Sequence, residues 1–182
     1  MLVAMAGLPG TGKTAIAELL GARLSKPVVS VDPIEAAILR AGIDADQPTG
    51  LAAYLVAEAL AENVLRAGHG VIVDAVNAVD PAREQWVNLA ERSGEPLRFI
   101  EVVCSDESVH RRRLEERGRH LSQATSSAWH AVEQSLDEYT EWSGSSGAVE
   151  RLTLDTVEPL DALVERAIEF LNSPGAFRPV IT

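Results

Sequence analysis

The 182-residue sequence predicts an α/β protein, a single domain with a five-stranded parallel sheet and helices on both faces. Five short apolar runs read as buried strands, and each is followed by a stretch with helical period. Parallel strands need long crossovers, and crossovers of one hand lay their helices against the sheet, so this alternation specifies the layered arrangement.

The first run, Leu2 to Ala6, ends at Gly7 and feeds a glycine-rich turn. A helix is expected from about Lys13, where Ile16, Leu19, Leu20 and Leu24 recur at helical spacing, until Pro27 marks a boundary. Val28 to Val31 is the second strand. Asp32-Pro33 then reads as a helix start, with an acceptor at the N-cap and proline at the first helical position, and the helix should run to about Arg40. After a polar loop, the segment Leu51 to Arg66 places Leu55, Val56, Ala59, Leu60 and Val64 on one stripe, taken as its core face.

Val71 to Val73 is the third strand, with Asp74 at its carboxyl end. A helix from about Pro81 to Arg92, a strand from Leu97 to Val103 and a charged helix from Asp106 to Arg117 follow. The polar stretch Gly118 to Ser126 precedes a further helix that should end near the Ser/Gly cluster Ser143 to Gly147. Leu152 to Leu154 is the fifth strand. The last helix repeats Leu160, Leu163, Val164, Ala167, Ile168 and Leu171 on one face. The domain is expected to span 1–172, with a lid at about 110–126 and a tail at 173–182.

Composition narrows the function. A hydrophobic share of 46% with 24% charged residues is that of an ordinary globular chain, and no apolar run approaches the roughly 20 residues that cross a bilayer. A single cysteine, Cys104, forms neither a disulfide framework nor a thiolate metal site within one chain, which suits a cytoplasmic location. A net charge of -11 opposes a polyanionic partner, so nucleic acid is not expected. The exception to the acidity lies between His110 and His120, where five arginines stand against two glutamates.

Gly7-Leu8-Pro9-Gly10-Thr11-Gly12-Lys13-Thr14 matches the P-loop pattern, between a strand and a helix as the motif requires. Glycines let successive N–H groups turn toward phosphate oxygens, the helix start adds a favourable dipole, and Lys13 reaches the β- and γ-phosphates. Pro9, Gly10, Thr11, Gly12, Lys13 and Thr14 are therefore the expected nucleotide cradle, with the Thr14 hydroxyl directed to magnesium. Neither the Asn-Lys-x-Asp nor the Asp-x-x-Gly string of GTPases occurs, and the chain is small for a ring ATPase with its sensor elements.

The order of four features resembles the small P-loop kinases that include polynucleotide kinase, zeta toxin, chloramphenicol phosphotransferase and gluconate kinase. These features are the P-loop, Asp32 after the second strand, Val71-Ile72-Val73-Asp74-Ala75-Val76-Asn77 after the third, and Arg113-Leu114-Glu115-Glu116-Arg117 after the fourth. The resemblance implies ATP and Mg2+ as cofactors and phosphate transfer to a hydroxyl of a small molecule. It implies that Asp32 lies beside the acceptor hydroxyl as base or orienting group, although Asp-Pro is also simply a good cap. It implies that Asp74, with Thr14 and Asp32, stands at the metal, where Asp74 could instead cap a turn. It further implies that Arg113, and after it Arg117 and Arg119, belong to a lid that closes over ATP, where Arg113 would join Lys13 and Asp32 as catalytic residues. Val76 stands where the family more often has threonine.

Alternatives remain at this level. A 5′-hydroxyl kinase of nucleic acid ends is opposed by the net charge and by Glu35, which stands where polynucleotide kinases place an arginine. A toxin-like kinase of nucleotide sugars, or an ATP-binding module that transfers nothing, would share the P-loop. His69, His110, His120 and His130 lack metal-ligand spacing and read as surface or loop residues, while Trp86, Trp129 and Trp142 fall on predicted helices as core residues.

Overall fold

The computed structural model describes residues 1–121 and 139–175, with side chains to residue 116 in the first stretch. Five parallel strands form one sheet: β1 (Leu2–Ala6), β2 (Val28–Ser30), β3 (Val71–Asp74), β4 (Leu97–Val103) and β5 (Arg151–Asp155), in the order β2-β3-β1-β4-β5. The helices are α1 (Lys13–Leu24), α2 (Val31–Arg40), α3 (Thr49–Arg66), α4 (Asp80–Ser93), α5 (Glu107–Leu121), the short α6 (Gly144–Ala148) and α7 (Leu160–Asn172).

Alternation along the strands sorts the core into two layers. Leu2, Ala4, Val71, Val73, Leu97 and Phe99 face α3 and α4, whereas Val3, Met5, Ile72, Ile100 and Val102 face α1 and α7. β1 is buried on both sides, as expected of a strand flanked by β3 and β4. The chain moves from β1 out to β2 and returns through β3, then crosses to β4 on the other side. The loop after β1 therefore opens at the point where the strand order reverses, which is where open α/β sheets bind ligands. Among the described residues no helix is long and apolar enough to cross a membrane.

Several expectations need correction. α2 begins at Val31 with Ser30 as its N-cap, so Asp32 is the second helical residue and does not cap the helix. Val31 is already helical because the β2 ladder to β3 ends at Ser30 opposite Asp74. On α3 the buried positions are Thr49, Ala53, Ala57, Ala61 and Leu65, and the face chosen from sequence lies largely outside: Leu55 is 55% exposed and Leu60 46%, with only Val64 packed on the core. Alanines at i, i+4 spacing let the helix backbone approach the sheet, which the bulkier leucine face would hold away.

The Ser/Gly cluster also differs from its reading as a helix terminus, since it forms α6 itself. Carboxylates of α4 hold it there: Ser143 Oγ donates to Asp80, Ser145 Oγ to Glu84, and the Ser146 N–H to Glu84 Oε1 at 2.7 Å. Trp142 is not helical but packs edge-on to Phe99, with ring centroids 4.9 Å apart, while Trp86 is fully buried on α4 as expected. Trp129 and His130, together with the lid beyond residue 121, lie outside the described residues, as do the side chain of His120 on α5 and the tail from 176.

Candidate nucleotide and acceptor site

The glycine-rich loop hangs between β1 and α1, and its glycines are there for contact as much as for conformation. Gly7 has φ +134°, and a Cβ on it would lie 2.1 Å from the Val102 carbonyl oxygen of β4. Its N–H donates to Val76 O at 3.0 Å, which ties the loop to the segment after β3. Gly12, at φ +99°, caps α1. The left-handed conformation costs glycine little and other residues much, so the motif's spacing is a backbone requirement.

Within the loop, Thr11 Oγ1 and Lys13 Nζ both donate to Leu8 O, at 2.8 and 2.9 Å. Lys13 is 6% exposed, so its ammonium sits inside the cradle at the start of α1. α5 leans over the same loop. Leu114 lies against Gly10, where a Cβ would come within 2.7 Å of its Cδ2, and His110 Nε2 is 2.8 Å from Pro9 O. His110 is thus a half-buried partner of the P-loop rather than the loop or surface residue expected, because the crossover from β4 brings the first turns of α5 over the cradle.

Thr14 Oγ1 donates to Asp74 Oδ2 at 2.7 Å, and Ser30 Oγ donates to the same oxygen at 3.3 Å. The start of α1, through Thr14, therefore meets the ends of β2, through Ser30, and β3, through Asp74. Burial pushes the Asp74 carboxyl above its ordinary value, against the opposing pull of the Thr14 hydroxyl and the Lys13 charge, and the Asp32 charge adds to the rise. Asp32 projects from the exposed first turn of α2 close enough to act by charge on both Asp74 and Tyr54. Tyr54 is pushed up to about 12, mainly by burial, with the Asp32, Asp74 and Glu35 charges contributing, and its phenol oxygen accepts the Asn77 N–H at 3.1 Å.

The donor set suits a magnesium-bound triphosphate. A hydroxyl and a buried carboxylate stand together at the mouth of an amide-lined turn, and a divalent cation would relieve the unfavourable burial of the Asp74 charge. A raised carboxyl gives stability that is complete below its unfolded value and is lost as the pH rises through the folded value. Ionising Asp74 is therefore unfavourable in the ligand-free protein. Asp74→Asn is expected to raise the melting temperature of ligand-free protein at pH 7.5, to narrow its difference from pH 5, and to remove the magnesium-dependent part of stabilisation by ATP. Scanning calorimetry at both pH values would show the opposite sign if Asp74 were a structural anion.

Arg113 lies beside the cradle. Its Nη1 donates to Thr156 Oγ1 at 2.7 Å and its Nη2 to Thr156 O at 3.3 Å, while the Thr156 hydroxyl lies 2.7 Å from Thr11 O. A chain of contacts thus links α5, the loop after β5 and the P-loop. The side chains of Arg117 and Arg119 are outside the described residues. Ser30, Tyr54, His110 and Thr156 were not singled out from sequence for this site. Only Ser30, two residues before Asp32 at a strand end, carried a readable positional signal.

A family profile described as an AAA domain matches residues 2–139. The chain belongs to this family of P-loop proteins. No curated protein matches the chain. Among solved structures, it is similar to a sugar kinase from Janibacter sp. HTCC2649, at 19% identity over 94% of each chain with a TM-score of 0.69. It is similar to Kti12 of Chaetomium thermophilum in complex with ADP-AlF3, at 19% identity over 95% of this chain and 100% of that one, TM-score 0.70. The Mycobacterium tuberculosis APS kinase CysC, in complex with AMPPNP and APS, aligns at 18% identity over 94% of this chain and 97% of that one, TM-score 0.67. At these identities the likeness establishes the fold, a single-domain five-stranded parallel sheet of the P-loop kind.

Proposed function

We propose that the protein is an ATP-dependent phosphotransferase that moves the γ-phosphate to a hydroxyl of a small molecule. The observation that carries this reading is the meeting of Thr14, Asp74 and Asp32 at the mouth of the P-loop: the hydroxyl–carboxylate pair at 2.7 Å suits magnesium, and a second carboxylate stands on the neighbouring helix. The amides of residues 9 to 14 and Lys13 would hold the phosphates. Magnesium, held by Thr14 and Asp74, would neutralise charge on the phosphate oxygens. Asp32 would accept or orient the proton of the incoming hydroxyl, and the placement of Asp32 in the first turn of α2 rather than at its cap leaves capping out of its role. Arg113, docked beside Thr11 through Thr156, is the described arginine nearest the cradle by these contacts, with Arg117 next along α5.

Asp32→Asn is expected to lower phosphate transfer on the order of a hundredfold or more while ATP affinity stays within a factor of about two. A second reading is a nucleotide-binding module without an acceptor, which the likeness to Kti12 in its complex with ADP-AlF3 leaves open. Labelled ATP with a panel of hydroxyl compounds separates the two. Tight ATP binding with no transfer to any compound, indifferent to Asp32→Asn, would establish the module instead.

A further inference from the structure

The loop after β5 reaches back to the P-loop through one hydroxyl. Thr156 Oγ1 donates to Thr11 O at 2.7 Å and accepts from Arg113 Nη1 at 2.7 Å, while Arg113 Nη2 donates to Thr156 O at 3.3 Å. A threonine hydroxyl has one proton and two lone pairs, so Oγ1 serves both partners at once. The Val103 carbonyl, 3.2 Å from the same hydroxyl, is the more distant acceptor. The methyl is engaged too, since a Cβ on Gly12 would come within 3.2 Å of Thr156 Cγ2.

Thr156 is itself held in place. Its N–H donates to Val103 O at 2.9 Å, and the neighbouring Asp155 Oδ1 accepts the Ser105 N–H at 3.0 Å and the Val157 N–H at 3.2 Å. The turn after β5 is thus tied to the turn that leads from β4 into α5, the helix that carries Arg113. On the other side the hydroxyl acts on the cradle. A trans peptide is planar, with its C=O and N–H in opposite directions, so holding the Thr11 carbonyl aims the Gly12 N–H away from Thr156. Gly12, at φ +99°, has no Cβ to restrain that plane, and the Thr156 hydroxyl supplies a restraint.

Resting on the kinase reading, we propose that Thr156 is a positioning residue of the phosphate-transfer site: its hydroxyl fixes the Thr11–Gly12 peptide of the cradle and holds Arg113 beside it. The peptide acts on any bound nucleotide, whereas the arginine acts where charge develops on the moving phosphoryl group. The first contribution therefore belongs to nucleotide affinity and the second to kcat.

Thr156→Val keeps the branched shape against Gly12 and loses the hydroxyl, while Thr156→Ser keeps the hydroxyl and loses the methyl. Transfer of the ATP γ-phosphate, to water or to any hydroxyl compound the chain turns over, is read as kcat at saturating Mg·ATP, and Mg·ADP affinity is read by calorimetry. Thr156→Val is expected to lower kcat about tenfold and Mg·ADP affinity about threefold, with Thr156→Ser within about twofold of wild type on both. In an Arg113→Met background, Thr156→Val is expected to change kcat by less than about twofold and still weaken Mg·ADP about threefold. Melting temperatures check that each variant folds, and Thr156→Ala against Thr156→Ser repeats the comparison with the methyl absent from both. An unchanged or raised kcat in Thr156→Val, no recovery in Thr156→Ser, or a kcat loss that multiplies with that of Arg113→Met would overturn the proposal. Transfer that is lost in Lys13→Ala yet unchanged in Thr156→Val leaves the kinase reading standing while this one falls. Wild-type protein that binds Mg·ATP and transfers phosphate neither to water nor to any hydroxyl compound removes both.

Discussion

Replacing Lys13 by alanine is expected to lower phosphate transfer on the order of a thousandfold and to weaken ATP binding, with little change in the stability of the ligand-free protein. The ammonium sits inside the cradle, 2.9 Å from Leu8 O and 6% exposed, at the start of α1. On the kinase reading it is already placed where charge would develop on a transferring phosphoryl group, and fixed charges of this kind act most strongly where water is excluded. The fold does not depend on it, since Ile16, Ala17 and Leu20 carry the buried face of α1. Lys13→Arg should not restore activity, because a planar fork is bulkier than a point charge in a turn this closely packed. Isothermal calorimetry with Mg·ATP and a phosphate-release assay read both effects. Retained ATP binding and turnover in Lys13→Ala would remove the P-loop from the chemistry.

Arg83→Met is expected to destabilise the protein by about 3–5 kcal/mol, a large part of the stability of a typical domain. For a chain of this size that is a fall of roughly 10 °C in melting temperature. The methionine fills much of the volume but removes the donor to the Asn77, Thr140 and Glu141 carbonyls, Ala78 keeping the Thr140 N–H, and unmet buried acceptors are costly. Arg83 also lies over Trp142 at 4.1 Å and Tyr139 at 5.0 Å from the ring centroids, so it binds the loop after β3 to residues 139–142. Arg83→Lys should recover less than half of the loss, having three donors on one atom in place of five on a fork. Denaturant melts of the three proteins decide this. A change below about 1 kcal/mol in Arg83→Met would show that the segment is held by other contacts.

These two arginine and lysine positions differ in how far they could be read. Lys13 is announced by its neighbours, since Gly7, Gly10, Gly12 and Thr14 form a pattern with one mechanical meaning. Arg83 looks like any residue of a charged helix. Its partners are carbonyls at 77–78 and 140–141, and no local rule joins positions so far apart in sequence. Glu84 and Asp80 are similar: the serines they hold read as the end of a preceding helix, because a Ser/Gly run becomes a helix itself only when something outside it satisfies its N–H groups. α3 shows the limit of apolar patterning. It has two candidate faces, and transfer free energy favours the leucines, but the sheet accepts the alanines because close approach of the helix requires small side chains.

What the chain determined locally was the alternation of strand and helix and the glycine-lined turn at the end of β1. Both follow from backbone sterics and the burial of short apolar runs, which act over a few residues. The tertiary structure alone decided that Ser30 joins Asp74 at the strand ends, that His110 and Thr156 close on the P-loop, and that Arg83 is buried among backbone carbonyls. Those depend on strand order and helix approach, and the charges of Asp32, Glu35 and Asp74 meet around Tyr54 because β2, β3 and α3 are packed side by side.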